Sequence, residues 1–130
     1  MNISNDSGLQ FIKLGLDASA LRSKVIANNM SNVNTENFKK SYVSFEENLN
    51  NEISKFTLKK TNSNHLNGNL DNSIISVEED SSTSTRTDGN NVDIDLEKVN
   101  QASNTLMYNA LITQANSKIS MTKSVISGGN

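Results

Sequence analysis

Length, composition and charge limit what this chain can be. It has 130 residues, the length of one domain, but only 34% are hydrophobic and 5% aromatic, so a single large core is not expected. The net charge of −2 argues against a nucleic-acid binder, which normally shows a basic excess. Cysteine is absent, which excludes disulfides and thiolate metal sites. We expect neither a membrane span nor a cleaved signal peptide.

Charge divides the chain into three parts. Residues 1–45 carry five basic and three acidic groups, residues 46–97 carry four and eleven, and residues 98–130 carry three and none. We predict an N-terminal helix and turn over residues 1–40, a middle segment over residues 41–92, and a C-terminal helix over residues 93–130. The predicted fold is mainly α, with long terminal helices that pair as a coiled-coil-like bundle.

The N-terminal part shows helical periodicity followed by asparagines. Leu14, Ala18, Leu21 and Val25 recur at intervals of four, three and four, the spacing of a helix that packs along one narrow seam. Continuing this spacing by three and then four residues leads to Asn28 and Asn32. Five asparagines lie within eleven positions here, and they are Asn28, Asn29, Asn32, Asn34 and Asn37.

Asparagine is a poor residue for a helix interior, because its side chain offers the backbone competing hydrogen bonds. One interpretation is that these amides cap and end the helix. The other is that Asn28, Asn29 and Asn32 are buried at helix or subunit contacts, where a polar residue fixes register and partner number. We assign Asn34 and Asn37 to the turn that follows.

The middle segment predicts little regular structure. A short helix is predicted over residues 44–56, because Phe45, Leu49, Ile53 and Phe56 share one helical face. The polar runs that follow are typical of loops, with one short strand in "NSIISVEE" and a turn at Asp88 and Gly89.

The C-terminal part predicts a helix from about Asp93 to about Ser127. Asp93 or Asp95 suits its N-terminus, since both side chains cap N–H groups and favour the helix dipole. The side chains expected to pack begin with Leu106 and then recur at intervals of four and three residues. The recurring ones are Tyr108, Ile112, Ala115, Ile119, Thr122 and Ile126.

Two such helices do not supply enough burial to hold together alone. Burying a large apolar side chain contributes only about 1.5–3 kcal/mol, while fixing the backbone of one residue costs about 1–2 kcal/mol. We therefore expect the terminal helices to bury against other chains, and to be frayed in the isolated monomer.

Three segments carry a resemblance to a known family. They are "ANNMSNVNTENFKK" at residues 27–40, "LKKTNSNHL" at residues 58–66 and "DGNNVDIDLEKVNQASNTLMYNALI" at residues 88–112. The first is similar to the signature A-N-N-x-A-N-x-N-T-P-G-[FY]-K of the bacterial flagellar axial proteins, and the other two resemble segments of the proximal rod branch. Glu36 stands where the family has proline, and Asn37 where it often has glycine, so the helix end is less sharply defined.

The resemblance implies a structural, non-enzymatic subunit of the flagellar basal-body rod, with no cofactor, nucleic acid or small-molecule substrate. It implies partners among other rod subunits, the basal-body membrane ring or its adaptor, further copies of the chain, and the flagellar type III export apparatus. The terminal helices would stack in a rod that crosses the periplasm and transmits torque to the hook. Another rod or hook subunit is the alternative within the family.

Other chemistry has weaker support in the sequence. Asn91, Asp93 and Asp95 alternate as in a calcium loop, but leucine and alanine stand where that loop needs glycine and glutamate. The only histidine, His65, has no triad spacing around it. A cell-wall hydrolase would need a pair of carboxylates in a cleft, and the candidates Glu46, Glu47 and Glu52 are better interpreted as a solvated helix face.

Overall fold

The computed structural model describes residues 7–51, 74–82, 84 and 86–128 of the chain. Helix α1 spans Ser7–Ser31 and strand β1 spans Ser41–Ser44. A short helix α2 follows, described over residues 46–51, then strand β2 at Ser76–Glu79 and helix α3 at Ile94–Ile126. The predicted fold class is confirmed, with two long terminal helices, a short third helix and a middle of loop and strand.

The apolar seam of α1 packs against the middle segment. Leu21 and Val25 are partly buried against a small core. The buried members of that core are Leu14, Ala18, Val43, Phe45 and Ile74. The periodicity of α1 thus correctly predicts which face is buried, but strand β1 and its neighbours cover that face.

Strands β1 and β2 form an antiparallel pair, with Ser41 opposite Glu79 and Ser44 opposite Ser76. The sequence pattern predicts only β2, so β1 is an addition to the prediction. The prediction that the short helix begins at residue 44 is wrong, because Ser44 belongs to the β ladder and α2 begins at residue 46. Residues 52–56 of the predicted helix lie outside the described residues.

Helices α1 and α3 lie side by side and run antiparallel. Near the start of α1, a Cβ atom on Gly15 would lie 3.1 Å from Cδ1 of Leu111. In the middle of α1, Oγ of Ser19 donates to Oδ1 of Asn104 at 2.8 Å. The C-terminal part of α1 therefore lies beside the N-terminal part of α3, next to the strands.

The ends of α3 agree with the prediction from the sequence. Asp93 is the N-cap residue, with extended backbone angles, and its Oδ1 accepts from the N–H groups of Asp95 at 2.9 Å and Leu96 at 3.2 Å. Ser127 is the C-cap residue, and the N–H of Ser127 donates to the carbonyl of Lys123 at 2.9 Å. Gly128 follows with a φ of 81°, a left-handed conformation that ends helices readily.

Within the described residues, neither long helix carries a stretch apolar enough to cross a membrane.

Candidate assembly surface and its asparagine junction

The end of α1 is held by an asparagine that lies far along the chain. Asn90 is fully buried, at 0% exposure. Its Nδ2 donates to the carbonyls of Asn32 at 2.8 Å, Val33 at 3.1 Å and Thr35 at 2.9 Å, while its Oδ1 accepts from the N–H of Val92 at 2.7 Å. These three carbonyls lie in the turn that follows Ser31, so one side chain holds the segment after α1 against the segment before α3.

The predicted turn residues meet at the same place. Asn37 has a φ of 58° and Gly89 a φ of 75°, and the N–H of Asn37 donates to the carbonyl of Asp88 at 2.8 Å. A Cβ atom on Gly89 would lie only 2.6 Å from Oδ1 of Asn37. Glycine at this position is therefore favoured by its left-handed backbone, and a side chain here would also displace Oδ1 of Asn37.

Asp88 helps to hold this turn as an ionised carboxylate. Its pKa is lowered from the usual value chiefly because the backbone N–H of Asn90 donates to it, with a further contribution from the guanidinium of Arg86. The two distances are 3.0 Å from Asn90 N and 2.7 Å from Nη2 of Arg86. Arg86 also donates to the carbonyl of Val33 at 3.1 Å, which ties the loop to the end of α1.

Asn29 joins three elements. It is 1% exposed, and its amide pairs with the backbone of Ser41, donating to the carbonyl at 2.8 Å and accepting from the N–H at 3.0 Å. The same Nδ2 donates to Oε2 of Glu97 on α3 at 3.1 Å. We call the hydrogen-bonded group formed by Asn29, Asn37, Asp88, Gly89 and Asn90 with their backbone partners the asparagine junction.

The other predicted amides take different positions. Asn28 is exposed, and Asn32 is half-buried, with its Nδ2 donating to the carbonyl of Asn28 at 2.8 Å. Asn34 is exposed in the turn. Within the chain, then, Asn29 lies at a buried contact between elements and Asn32 bonds back to its own helix, while the assignment of Asn28 and Asn32 to subunit contacts stays a prediction.

A second polar cluster lies between the two long helices. Asn104 of α3 is buried, and its Nδ2 donates to the carbonyl of Ser19 and to Oγ of Ser23, both at 2.9 Å. Ser19 donates its hydroxyl to Oδ1 of Asn104 in return. The side-chain amide of Asn104 therefore has partners at both ends, and these contacts define how α1 and α3 are aligned.

Most of the apolar residues predicted to pack on α3 are exposed in the single chain. The exposed fractions are 72% for Leu106, 40% for Tyr108, 37% for Ile112, 55% for Ile119 and 63% for Ile126; Ala115 and Thr122 are half-buried. Val99, Met107, Met121 and Val125 are exposed as well. Because each residue advances about 100° around a helix, Leu106 lies far from Asn104 and α1. Helix α3 thus presents apolar side chains to its surroundings over much of its length.

The described residues that were considered for calcium binding or hydrolysis have structural contacts or face solvent. Asn91 accepts from the N–H of Lys40 at 2.7 Å and donates to the carbonyl of Asp80 at 2.8 Å, while Asp93 caps α3. Glu46 forms an ion pair with Arg22 at 2.8 Å, and Glu47 is exposed. In the described part of the chain no group of three or more His, Cys, Asp or Glu could hold a metal ion. Glu52 and His65 lie outside the described residues.

Sequence reasoning missed Asn90, Asn104, Glu97 and Ser19 as structural residues. These residues pair with partners that are distant in the sequence, and no local pattern indicates such a pairing. Ser19 and Asn104, for example, are 85 positions apart. One clue was available, because two of the segments that carry the family resemblance, residues 27–40 and 88–112, are the segments that meet in the junction.

The fold and the junction define a class of protein. Two long antiparallel helices are locked at one end by buried amides, and one of them exposes apolar side chains along its length, as in a helical subunit that packs against other chains. Comparison with known proteins is consistent with this class. Residues 14–39 match the family described as "Flagella basal body rod protein", the part of the chain that holds the α1 seam and the amides that follow it.

Relatives match most of the chain. The flagellar basal body rod protein FlgB of Bacillus subtilis (strain 168) is 35% identical over 121 residues, which cover 93% of this chain and 94% of that protein. The proteins of the same name from Borrelia hermsii and Borreliella burgdorferi are 39% and 36% identical and cover 72% and 74% of this chain. The chain therefore belongs to the FlgB family of flagellar basal body rod proteins.

Proposed function

We propose that this chain builds part of the flagellar rod by packing its terminal helices against neighbouring subunits, and that the rod so formed transmits torque from the membrane ring to the hook. The observation that carries the proposal is the exposed apolar surface of α3. A helix that leaves this much apolar area in water gains stability when other chains cover it.

The junction supports a mechanical role. A subunit that passes torque must keep its helices at a fixed angle and register under load. Buried Asn29, Asn90 and Asn104 connect α1, β1 and α3 through hydrogen bonds that a sliding helix would break. An unsatisfied buried polar group costs about 1–3 kcal/mol, so displacement of either helix is resisted.

The proposed partners follow from the family and from this surface. They are other rod subunits, further copies of the chain, the basal-body membrane ring or its adaptor, and the flagellar type III export apparatus during delivery. We propose export without a cleaved signal peptide and a final location in the rod where it crosses the periplasm. A structural role of this kind needs no cofactor and no catalysis.

Leu106→Asp tests the proposal, in cells where this chain is the only copy of the subunit. Leu106 is 72% exposed, so the substitution leaves the fold of the chain intact. Burying a carboxylate in place of leucine at each subunit contact forfeits about 1.5–3 kcal/mol of burial and adds a charge to the interface. We expect the variant to be made and exported while motility and rods are lost, which electron microscopy of isolated basal bodies checks.

Val77→Asp is the matched control, because Val77 is an exposed apolar residue of β2 and not of α3. It introduces the same charge and should leave rods and swimming unchanged. Normal flagella in the Leu106→Asp strain would contradict the proposal. Leu21→Asp should also abolish rod assembly, but it is the less sharp test, since Leu21 packs against the core of the chain.

A further inference from the structure

A groove opens between α1, β1 and α3 near the asparagine junction. Its volume is about 320 Å³, and its lining includes the apolar side chains of Val25, Ile26, Val43 and Met107. These residues come from three elements that the junction holds together. The groove is therefore a formed feature of the fold with a mixed lining, in which the apolar side chains can contact aliphatic side chains of a partner helix and the polar ones can bind its charged groups.

A buried carboxylate lies in the wall of this groove. Glu97 is 4% exposed, and its oxygens accept from two neutral amides among the described residues, Nδ2 of Asn29 at 3.1 Å and Nδ2 of Asn100 at 3.3 Å. Within the described residues Glu97 forms no ion pair, while Arg22 in the same lining is paired with Glu46. A buried carboxylate with only amide donors is stabilised further by a cation.

The far end of α3 offers complementary chemistry. After Glu97 the chain has no acidic residue, and Lys123 is exposed in the last turn of the helix. Around it Ile119, Val125 and Ile126 are exposed by 55%, 71% and 63%. This end of α3 therefore presents aliphatic side chains and one lysine, which match the apolar lining and the carboxylate of the groove.

The groove and the basic end cannot meet within one chain. Asn104, in the lining of the groove, and Lys123 belong to the same straight helix, and the distance between them is roughly 28 Å at 1.5 Å per residue. Two complementary surfaces at opposite ends of one molecule can join only between copies, either head to tail or by reciprocal exchange in a closed dimer. The head-to-tail contact repeats from copy to copy, as an extended rod requires, whereas reciprocal exchange ends at two chains.

We propose that the C-terminal end of α3 of one copy docks in the groove of the next copy, with Lys123 facing Glu97 of its neighbour. This contact rests on the proposed rod-building function and assigns the partner at one of its surfaces. It gives the assembly a direction, because the groove end of each copy receives the α3 end of another.

Cysteine cross-linking in isolated basal bodies tests the contact, since the chain has no cysteine of its own. Ser103→Cys introduces a thiol at the groove, and Ser120→Cys introduces one three residues before Lys123. About 25 Å separates the two positions along α3, and a disulfide needs Cα atoms within about 7 Å. Every disulfide formed by the double variant therefore joins two chains.

On mild oxidation we expect a ladder of dimers, trimers and longer products from the double variant. Each single-cysteine variant should stay monomeric, and so should the control pair Ser81→Cys with Ser120→Cys, which moves the first thiol to the exposed loop after β2. A double variant that stops at dimers would show reciprocal exchange, and a dimer from a single variant would show that equivalent positions meet; either result would overturn the proposal. Capture of the Ser103→Cys thiol by a different rod subunit would overturn it as well.

Charge variants test the chemistry. Lys123→Glu in the double-cysteine background should reduce the ladder about tenfold, while Lys123→Arg should preserve it. Glu97→Gln should also reduce it, because glutamine keeps an acceptor for Asn29 but removes the charge. If neither Lys123→Glu nor Glu97→Gln changes the amount of cross-linked ladder, the proposed pairing of Lys123 with Glu97 is overturned.

The failure of this contact and the failure of the proposed function are distinguishable. A chain that is present in isolated basal bodies but gives no ladder would overturn the head-to-tail contact while the rod function stands. A chain that is absent from basal bodies would overturn the rod function itself.

Discussion

At the scale of single residues, asparagine serves here as a substitute for missing backbone partners. Its amide carries both a donor and an acceptor, like a peptide group. Asn29 uses both toward Ser41, as a neighbouring strand would. Asn90 uses its donor for the carbonyls at the end of α1 and its acceptor for the N–H of Val92. The amides that follow the α1 seam therefore belong to a network in which a second segment completes the helix end.

Asn90→Asp should be strongly destabilising, although it only replaces the side-chain NH2 group by an oxygen. The aspartate keeps an oxygen for the N–H of Val92 but places its second oxygen against three carbonyls that now receive a hydrogen bond. The three carbonyls keep other donors, which are the N–H groups of Thr35 and Phe38 and the guanidinium of Arg86, but the new carboxylate oxygen faces only acceptors in a residue that is 0% exposed. A buried polar group without a partner costs about 1–3 kcal/mol, and a charged one costs more, so we expect the free energy of unfolding to fall by roughly 2–4 kcal/mol. Urea denaturation followed by circular dichroism measures this.

Asn34→Asp is the control for this change, because Asn34 is exposed in the turn. Its free energy of unfolding should stay within about 0.5 kcal/mol of the unmodified chain. Equal stability of the Asn90 and Asn34 variants would mean that Asn90 does not hold the end of α1.

At the scale of elements, the sequence predicts helices better than it predicts what they touch. The period of Leu14, Ala18, Leu21 and Val25 correctly marks a buried face, because burial of one face leaves a repeat of three and four. Periodicity does not say which element covers that face, and here it is β1 and Phe45. Strand β1 itself was not predictable, since four residues carry too little pattern to distinguish strand from loop.

The contact between α1 and α3 was hidden from sequence reasoning for a related reason. It runs through Gly15, Ser19 and Asn104. Glycine adds nothing to an apolar pattern, and serine and asparagine usually face solvent. Such residues allow helices to approach closely and pair by hydrogen bonds. The most apolar side chains of α3 point elsewhere and are exposed in the single chain, so the apolar spacing of α3 does not mark its contact with α1.

A double-mutant cycle on Ser19→Ala and Asn104→Ala should show coupling between α1 and α3. Each single change leaves buried polar partners unsatisfied and should cost about 1–3 kcal/mol. The double variant removes both sides of the contact, so its cost should be smaller than the sum of the single costs by about 0.5–3 kcal/mol. Urea denaturation of the four proteins gives the coupling energy directly.

Asn109→Ala is the matched control on the same helix, because Asn109 is exposed. Alanine favours a helix more than asparagine does, so this change should be neutral or slightly stabilising. Additive effects of the Ser19 and Asn104 changes would show that the hydrogen bonds between them do not align the helices.

At the scale of the whole molecule, stability is distributed unevenly. The core, the junction and the Asn104 cluster all lie in the half of the molecule that contains the strands. Helix α3 continues well beyond Leu111, the residue beside Gly15, with most of its side chains exposed there. In the single chain, the tertiary contacts are therefore concentrated at the end of α3 that lies beside the strands.

Hydrogen exchange in the dilute isolated chain should reveal this division. Amides of α1 from Ala18 to Asn29 and of the junction should exchange slowly, whereas amides of α3 after Leu111 should exchange quickly, because little burial opposes local opening there. In assembled rods the same α3 amides should become protected, since covering the apolar side chains stabilises the helix. Mass spectrometry of peptides from both states measures the change. Equal protection of α3 in the monomer and in the rod would show that its order does not depend on assembly.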